Sequence, residues 1–275
     1  MSREKRKRKK LWLLLLILSI LLLGIAIGVA VFLLWPEEKA DFYKPGVTTP
    51  TTEQTSDSTG EAPSSEELPT ATATEPTLAE NPIDFVALQQ QNPDAYAWIN
   101  VPNTKVDYPI LQSSADKEEN YYLHRNLEGN YEFRGSVFTQ KCNSKDFSDP
   151  VTVIYGHNML DESMFSTLHY FRDETFFEEN ELFYIYTPGH ILTYRVVSAY
   201  QYDSRHILNS FDFSQEKVFQ EYIDFLLSPQ SMIAAVRNGM SVTTNDRIVT
   251  LSTCINYGMS RYLVQGVLID DEPTT

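Results

Sequence analysis

The stretch Thr250-Leu251-Ser252-Thr253-Cys254 ends a run of β-branched residues and places a thiol at the mouth of a predicted strand. Arg261 follows seven residues later, and the segment Tyr155-Gly156-His157-Asn158-Met159 lies far upstream. A thiolate nucleophile needs a nearby base or cation, and an acyl-transfer intermediate needs a donor for its oxyanion. Cysteine, histidine and arginine could supply these roles if the fold brings them together. A single cysteine after a strand is more often a small buried side chain than a nucleophile, so a catalytic role for Cys254 depends on the rest of the sequence.

The segments around this stretch predict a chain built mostly from short strands. Runs of apolar and β-branched residues, separated by turn signals, recur at 98–101, 106–111, 135–139, 151–155, 182–186, 191–200, 248–251 and 262–268. Many short strands with two or three helices are typical of a β-barrel or a β-sandwich. The predicted fold class is therefore mostly β.

Two segments break the strand pattern and predict helices. Residues 82–91 form a short helical segment that Asn92-Pro93 stops. Residues 213–227 place their apolar side chains at helical spacing, with Asp212 or Ser214 as the N-cap. We therefore expect one helix at the start of the domain and one inserted before the last two strands.

The first 35 residues predict a membrane anchor. Residues 1–10 carry seven Lys or Arg and one Glu, and residues 11–35 form an apolar run in which Ser19 is the only polar side chain. At about 1.5 Å per residue a helix of this length spans roughly 37 Å, enough for a bilayer core of about 30 Å. The run is longer than the apolar region of a cleavable signal peptide. We predict a single-pass cell-membrane protein with a cytoplasmic flank at 1–10, an uncleaved anchor at 11–35 and an extracellular remainder.

Composition divides the remainder into a spacer and one domain. Residues 36–80 are rich in Pro, Thr, Ser and Glu, so they cannot bury enough apolar surface to offset the entropy of ordering. We predict that they form a disordered spacer. Residues 81–275 have the length of a single domain.

The charge of the chain argues against two classes of partner. Its net charge is −15, and without the basic flank 15 basic residues remain against 36 acidic ones. An acidic exterior argues against nucleic acid and against docking on anionic lipid. The simplest interpretation is a soluble, self-repelling surface.

The two cysteines, Cys142 and Cys254, are too few for a disulfide-stapled exported domain. A single bridge between them is possible, but it would consume the candidate nucleophile. Cys142 is expected to pack or to be half exposed. Cys and His residues lack the spacing of zinc ligands, so a metal site is not predicted.

His157 is the histidine whose surroundings favour a functional role. It follows a predicted strand and Gly156, which we expect to let the chain turn sharply and expose the imidazole. Arg261, at the start of the last predicted strand, offers a permanent charge and several directed donors. None of the remaining histidines stands in a matching strand-to-glycine junction, and they are expected to be structural: His124, His169, His190 and His206.

Taken together, these motifs resemble the sortases, the cysteine transpeptidases of Gram-positive surfaces, and class B in particular. The resemblance covers nearly all of residues 81–271 and includes the order of anchor, spacer, histidine, cysteine and arginine. The matching segments are Asp84-Phe85, Asn92-Pro93-Asp94, Ala97-Trp98-Ile99-Asn100-Val101-Pro102, Val106-Asp107-Tyr108-Pro109-Ile110, Tyr121-Tyr122-Leu123, Gly135-Ser136-Val137-Phe138, Tyr155-Gly156-His157-Asn158-Met159, Ser163-Met164-Phe165 and Thr250–Cys254.

The resemblance implies a fold and a set of site residues. The fold would be the eight-stranded sortase β-barrel, with an N-terminal helix and with residues 213–227 as the helix inserted before the penultimate strand. His157, Cys254 and Arg261 would be the catalytic residues, and Ser252 would contact the substrate. The interval from Cys254 to Arg261 is short for class B, which suggests a tighter loop.

The resemblance also implies an activity. Cys254 would cleave the sorting signal of an exported protein through a thioester and transfer the protein to an amine acceptor, either a cell-wall peptide or a pilin lysine. Neither step of this reaction would require a metal or an organic cofactor. The implied partners are exported proteins with a C-terminal sorting signal, the amine acceptor and the membrane.

Two other functions fit part of the sequence. A wall-remodelling cysteine peptidase or L,D-transpeptidase also uses Cys and His outside the membrane, although His157 precedes Cys254 by 97 residues and papain-like enzymes have the opposite order. A non-catalytic surface-binding module on a stalk would fit the anchor and the spacer equally well. It would give Cys254 and His157 no reason to occur together, and thiol alkylation would leave its activity intact.

Overall fold

Nine strands form one sheet in the part of the chain that the structure, a computed structural model, describes, namely residues 78–255 and 259–275. They are β1 Ala95–Asn100, β2 Asp107–Gln112, β3 Val137–Thr139, β4 Val151–Tyr155, β5 Leu182–Thr187, β6 His190–Tyr202, β7 Ala234–Val236, β8 Ile248–Ile255 and β9 Ser260–Pro273. The pairing order is β5-β1-β2-β3-β4-β8-β9-β6, and β6 pairs again with β5, which closes an eight-stranded barrel. The predicted mostly-β barrel is therefore confirmed.

The length of β6 closes the barrel. One edge of this strand pairs with β9 along most of its length. The other edge pairs first with β5, from His190 to Arg195, and then with β7, from Ser198 to Tyr200. Register shifts between β6 and β9 in the middle of the strand bend it, as barrel closure requires. The ninth strand, β7, thus pairs with the part of β6 that extends beyond β5 and is not one of the eight strands that close the barrel.

The helices of the described residues are α1 Phe85–Gln91, α2 Glu174–Glu179, α3 Ile207–Ser210 and α4 Glu216–Leu227, with 3₁₀ turns at Tyr121–His124 and Ser166–Arg172. The predicted N-terminal and inserted helices are present, but both begin three residues later than predicted. Asp84 caps α1 by accepting a hydrogen bond from Ala87 N at 2.9 Å. Asp212 does not cap α4; its carboxylate instead holds a turn by accepting from Ser214 and Gln215.

Strands β4 and β8 are buried on both faces, which explains their nearly continuous apolar sequences. Along β8, Val249 and Leu251 belong to the barrel interior. Ile248 packs on the outer face with Phe219 of α4. Because side chains alternate along a strand, Ser252 and Cys254 share the outer face of β8 with Ile248 and Thr250.

A buried polar network fixes α4 on this outer face. The amide nitrogen of Gln265, on β9, donates to Thr250 Oγ1 at 2.9 Å and to the hydroxyl of Tyr222 on α4 at 2.5 Å. The hydroxyl of Tyr200, on β6, donates to Gln265 Oε1 at 2.7 Å. These groups satisfy one another in the interior, so they hold β8 and β9 in register four residues away from the Cys254–Arg261 pair.

A second network fixes the Tyr121–His124 turn, which borders the site. The hydroxyl of Tyr122 donates to Asp94 Oδ2 at 2.7 Å, and Lys117 Nζ lies 2.6 Å from the same oxygen. Asn92, the C-cap of α1, donates to the carbonyl of Leu127 at 2.7 Å. Burial by itself would raise the pKa of Asp94, but the hydrogen bonds from Lys117 and Tyr122 outweigh it and hold that pKa below its usual value.

This network predicts a specific dependence of stability on pH. Because the pKa of Asp94 is lower in the folded than in the unfolded chain, its contribution is full above about pH 5 and is lost as the pH falls below about 4. The Asp94→Asn variant cannot titrate at this position. We therefore expect urea unfolding to show that the free energies of unfolding of the wild type and of Asp94→Asn differ more at pH 7 than at pH 3.5. A difference that stays constant with pH would contradict this role for the carboxylate.

The localisation prediction requires correction. Over residues 78–255 and 259–275, every helix is too short or too polar to cross a membrane, which contradicts the predicted single-pass membrane protein. The predicted flank at 1–10, anchor at 11–35 and spacer at 36–80 lie outside the described residues, apart from residues 78–80 at the end of the spacer.

Candidate active site

The strand register brings the predicted site residues together. Strands β4 and β8 are parallel, with Tyr155 opposite Ser252, and Gly156 N donates to the carbonyl of Ser252 at 3.1 Å. His157 directly follows Gly156, and Cys254 lies two positions beyond Ser252 on β8. Residues far apart in sequence therefore meet because their strands are neighbours.

Arg261 reaches the same place from the other side of β8. Strands β8 and β9 are antiparallel, and Cys254 pairs directly with Arg261. Directly opposed side chains of an antiparallel pair lie on the same face, with Cβ atoms about 5 Å apart. The seven-residue interval thus follows from the cross-strand pairing. The predicted strand at 248–251 is too short, because β8 continues to Ile255 and holds Cys254 within it.

These residues line a cleft of about 200 Å³ on the outer face of the barrel. All four predicted site residues contribute to it. Its lining consists of Asn120, Leu123, Phe138, Gln140, Tyr155, Gly156, His157, His206, Ser252, Thr253, Cys254 and Arg261.

The Cys254 thiol lies within reach of a fixed cation. Nη1 of Arg261 donates to Cys254 Sγ at 3.4 Å and also lies 3.4 Å from the carbonyl of Ser260. The side-chain amide of Asn158 donates to the carbonyl of Cys254 at 2.9 Å, which ties the loop after β4 to β8. The guanidinium thus places a permanent positive charge beside the sulfur and the atoms that would react with it.

The two cysteines have different surroundings. Both are free thiols, so the possible Cys142–Cys254 bridge does not form. Cys142 is exposed and lines a separate cavity of about 540 Å³. Partial burial of its sulfur, and next the charge of Glu119, raise the pKa of Cys142, which disfavours its thiolate. Cys254 is thus the better-placed nucleophile.

A backbone carbonyl fixes the orientation of His157. Nε2 of its imidazole lies 2.8 Å from the carbonyl of Leu123. Since a carbonyl only accepts hydrogen bonds, Nε2 carries the hydrogen, and Nδ1 of the neutral ring is left as the acceptor. Burial lowers the pKa of His157, and the hydrogen bond to Leu123 partly offsets this effect. The imidazole is therefore kept neutral and able to take a proton.

Gly156 is required for a different reason than the sequence suggested. Its φ angle is not in the left-handed region, so the chain needs no special backbone freedom here. A Cβ at this position would lie 2.5 Å from the ring of Phe165, which is fully buried. Phe165 N in turn donates to the carbonyl of His157 at 2.9 Å. The glycine makes room for the ring that holds the His157 loop.

Several cleft residues were not predicted. His206, expected to be structural, lines the cleft: its Nδ1 accepts from Asn209 N at 3.2 Å, so its Nε2 donates to Gln140 Oε1 at 2.5 Å. Asn158 belongs to a segment that the sequence singled out, but its contact with Cys254 was missed. Leu123 acts through its carbonyl, which no side-chain pattern could reveal.

Comparison with known proteins agrees with this geometry. The family model for the sortase domain matches residues 99–269. Sortase B of Listeria monocytogenes is 34% identical over 187 residues, which cover 66% of this chain and 72% of that protein. The crystal structure of Clostridium perfringens sortase B superposes with a TM-score of 0.61 at 31% identity, covering 68% of this chain and 100% of that chain.

A Staphylococcus aureus sortase B–substrate complex superposes with a TM-score of 0.59 at 26% identity, covering 68% of this chain and 84% of that chain. The family match excludes a non-catalytic binding module and a papain-like or L,D-transpeptidase enzyme as the identity of residues 99–269. The chain therefore belongs to the sortase family of cysteine transpeptidases and, within that family, to class B.

Proposed function

We propose that Cys254 is the nucleophile of this transpeptidase, that His157 transfers the proton and that Arg261 holds the oxyanion. The observation that supports this assignment most directly is the 3.4 Å contact between Arg261 Nη1 and Cys254 Sγ in the cleft that His157 lines. Cysteine, base and oxyanion donor are the groups that acyl transfer through a thioester requires.

The proposed reaction passes through a thioester, and His157 carries one proton in each half of it. The thiol proton of Cys254 passes to His157, and the sulfur attacks a peptide carbonyl carbon, whose oxygen becomes an oxyanion beside Arg261. The C–N bond then breaks, the leaving amine takes the proton from His157, and a thioester remains on Cys254. An incoming amine gives a proton to His157 and attacks the thioester. Collapse of this second intermediate returns the proton to the sulfur and forms a new amide bond.

The proposed donor substrates are exported proteins with a C-terminal sorting signal. The cleft of about 200 Å³ is smaller than the pockets of about 300–1,000 Å³ that bury a drug-sized ligand, so it suits a short stretch of extended peptide. Ser252 lies on the same face of β8 as Cys254 and lines the cleft, which supports a contact with the substrate residue next to the scissile bond. The S. aureus relative was solved as a sortase B–substrate complex, which supports the binding of a substrate by a protein of this fold.

The proposed acceptor is an amine of a cell-wall peptide precursor or a pilin lysine. Resolution of the thioester by an amine rather than by water is what distinguishes a transpeptidase from a peptidase. We further propose that residues 81–275 constitute the catalytic domain. The ordered hydrogen bond of Asn81 Nδ2 to the carbonyl of Thr187, at 2.9 Å, supports a boundary near this residue.

Mass spectrometry of the full-length protein with sorting-signal peptides tests this function. The peptides can be taken from exported proteins encoded next to this gene, and a glycine oligomer or a lysine peptide can serve as the acceptor. We expect an acid-quenched adduct on Cys254 and a new amide product when the amine is present. Hydrolysis without amide product at high amine concentration would instead indicate a peptidase.

A further inference from the structure

Three aromatic rings are clustered at the His157 side of the cleft. The rings of His124 and His157 are stacked, with centroids 5.4 Å apart and planes at 24°. Phe133 stacks on both, at 5.9 Å from His124 and 6.0 Å from His157. Near-parallel, offset rings at these separations attract one another beyond the burial of their surfaces. Each ring therefore restrains the plane of the other two.

The backbone holds this cluster in place. Nδ1 of His124 lies 3.2 Å from the carbonyl of Phe133, and Glu132 N donates to the carbonyl of His124 at 3.1 Å. Gly135 has a φ angle of 58°, and a Cβ there would lie only 2.3 Å from the carbonyl oxygen of Leu123. Only glycine permits this close approach. The segment 131–135 is thus packed against the turn that supplies both the Leu123 carbonyl and the His124 ring.

We propose that His124 is a positioning residue for His157. Its ring, together with Phe133, holds the His157 imidazole in the plane in which Nε2 donates to the carbonyl of Leu123 and Nδ1 remains available as a proton acceptor. This inference rests on the proposed role of His157 and adds a residue to it. Leu123 and His124 are consecutive, so one turn provides both the hydrogen bond and the stacking partner. The hydrogen bond alone leaves the ring able to rotate about the Nε2–O direction, and the stack removes that freedom.

The charges near the cluster also help to keep the His157 imidazole neutral. After burial, the charge of His124 and next that of Arg261 contribute to the lowered pKa of His157. Cys254 lines the same cleft as His157, and the segment packed against His124 carries Tyr131 and the ion pair between Glu132 and Arg134. Loss of the His124 ring would expose His157 to water and remove a neighbouring charge, and both changes raise the pKa of His157.

The first test is a substrate-free titration. Histidine imidazole signals of the full-length Cys254→Ala protein are followed by NMR, with His157→Gln to assign the resonance. We expect His124→Ala to shift the His157 titration to higher pH and His124→Phe, which retains a ring, to shift it less. Phe133→Ala should shift it in the same direction. An unchanged His157 titration in His124→Ala and Phe133→Ala would overturn the proposal, whether or not the enzyme cleaves a sorting peptide.

The second test is kinetic and uses proteins that retain Cys254. We expect His124→Ala to lower kcat about tenfold with little change in KM, since a misplaced base loses part of its effect, and His124→Phe to recover most of it. His190→Ala is the matched control, because His190 pairs with Asp271 at the far end of β6. A normal kcat in His124→Ala, or equal losses in His124→Ala and His124→Phe, would contradict positioning by stacking. Absence of cleavage by the wild type would instead count against the proposed function.

Discussion

Replacement of Cys254 by alanine is expected to abolish both adduct formation and transfer of a sorting peptide. The methyl group of alanine offers no electron pair, so the thioester cannot form and the remaining cleft residues have nothing to activate. Cys254 is half-buried in a strand whose pairing is made by the backbone, so the variant should fold. Peptide cleavage and intact-protein mass, measured beside the thermal melting of both proteins, check this result.

Cys142 provides the matched control within the same chain. Its thiol is exposed, lines a different cavity and has a raised pKa because of partial burial. We expect Cys142→Ala to retain most of the activity and still to form the adduct. An inactive but folded Cys142→Ala protein would show that the division of roles between the two thiols is wrong.

The barrel could be predicted from the sequence because each strand carries its own local signal. Segments such as Val151–Tyr155 are bounded by turn residues and rich in β-branched side chains, and the structure confirms this strand at both ends. The ends of other elements were less accurate. The strand carrying Cys254 was ended too early, since Ser252 and Thr253 interrupt its apolar run although their backbone continues to pair with β9.

The site could be predicted only in part, for a physical reason. Cysteine, histidine and arginine have side chains with distinctive chemistry, so they can be recognised as candidates before their positions are known. Leu123 contributes a carbonyl, and every residue has one. His206 enters the cleft through its bond to Gln140, a contact between segments 66 residues apart. Gly156 was recognised, but its reason, the room needed by the Phe165 ring, depends on tertiary packing.

Arg261 is expected to be the second most sensitive position in the cleft. Lysine would retain the positive charge but not the planar fork of donors, so Arg261→Lys should still lower kcat strongly, and Arg261→Ala at least as much. Loss of one oxyanion donor typically slows acyl transfer by about 10²–10³-fold. Steady-state kinetics on a sorting peptide, with thermal melting to show that the fold is kept, measure this effect. Arg247→Lys is the control, since Arg247 pairs with Asp271 and does not line the cleft.

Alkylation of Cys254 separates the two effects that Arg261 can have. The reaction with iodoacetamide requires the thiolate but forms no oxyanion. Peptide cleavage requires the nucleophilic sulfur and also passes through an oxyanion intermediate. If Arg261 acts mainly on the oxyanion, Arg261→Ala should slow cleavage far more than alkylation at the same pH. Equal losses in both reactions would assign the guanidinium to the sulfur that it contacts at 3.4 Å. Near-normal cleavage by Arg261→Ala would leave the oxyanion to backbone N–H groups and reduce the arginine to a structural part of the β8–β9 pair.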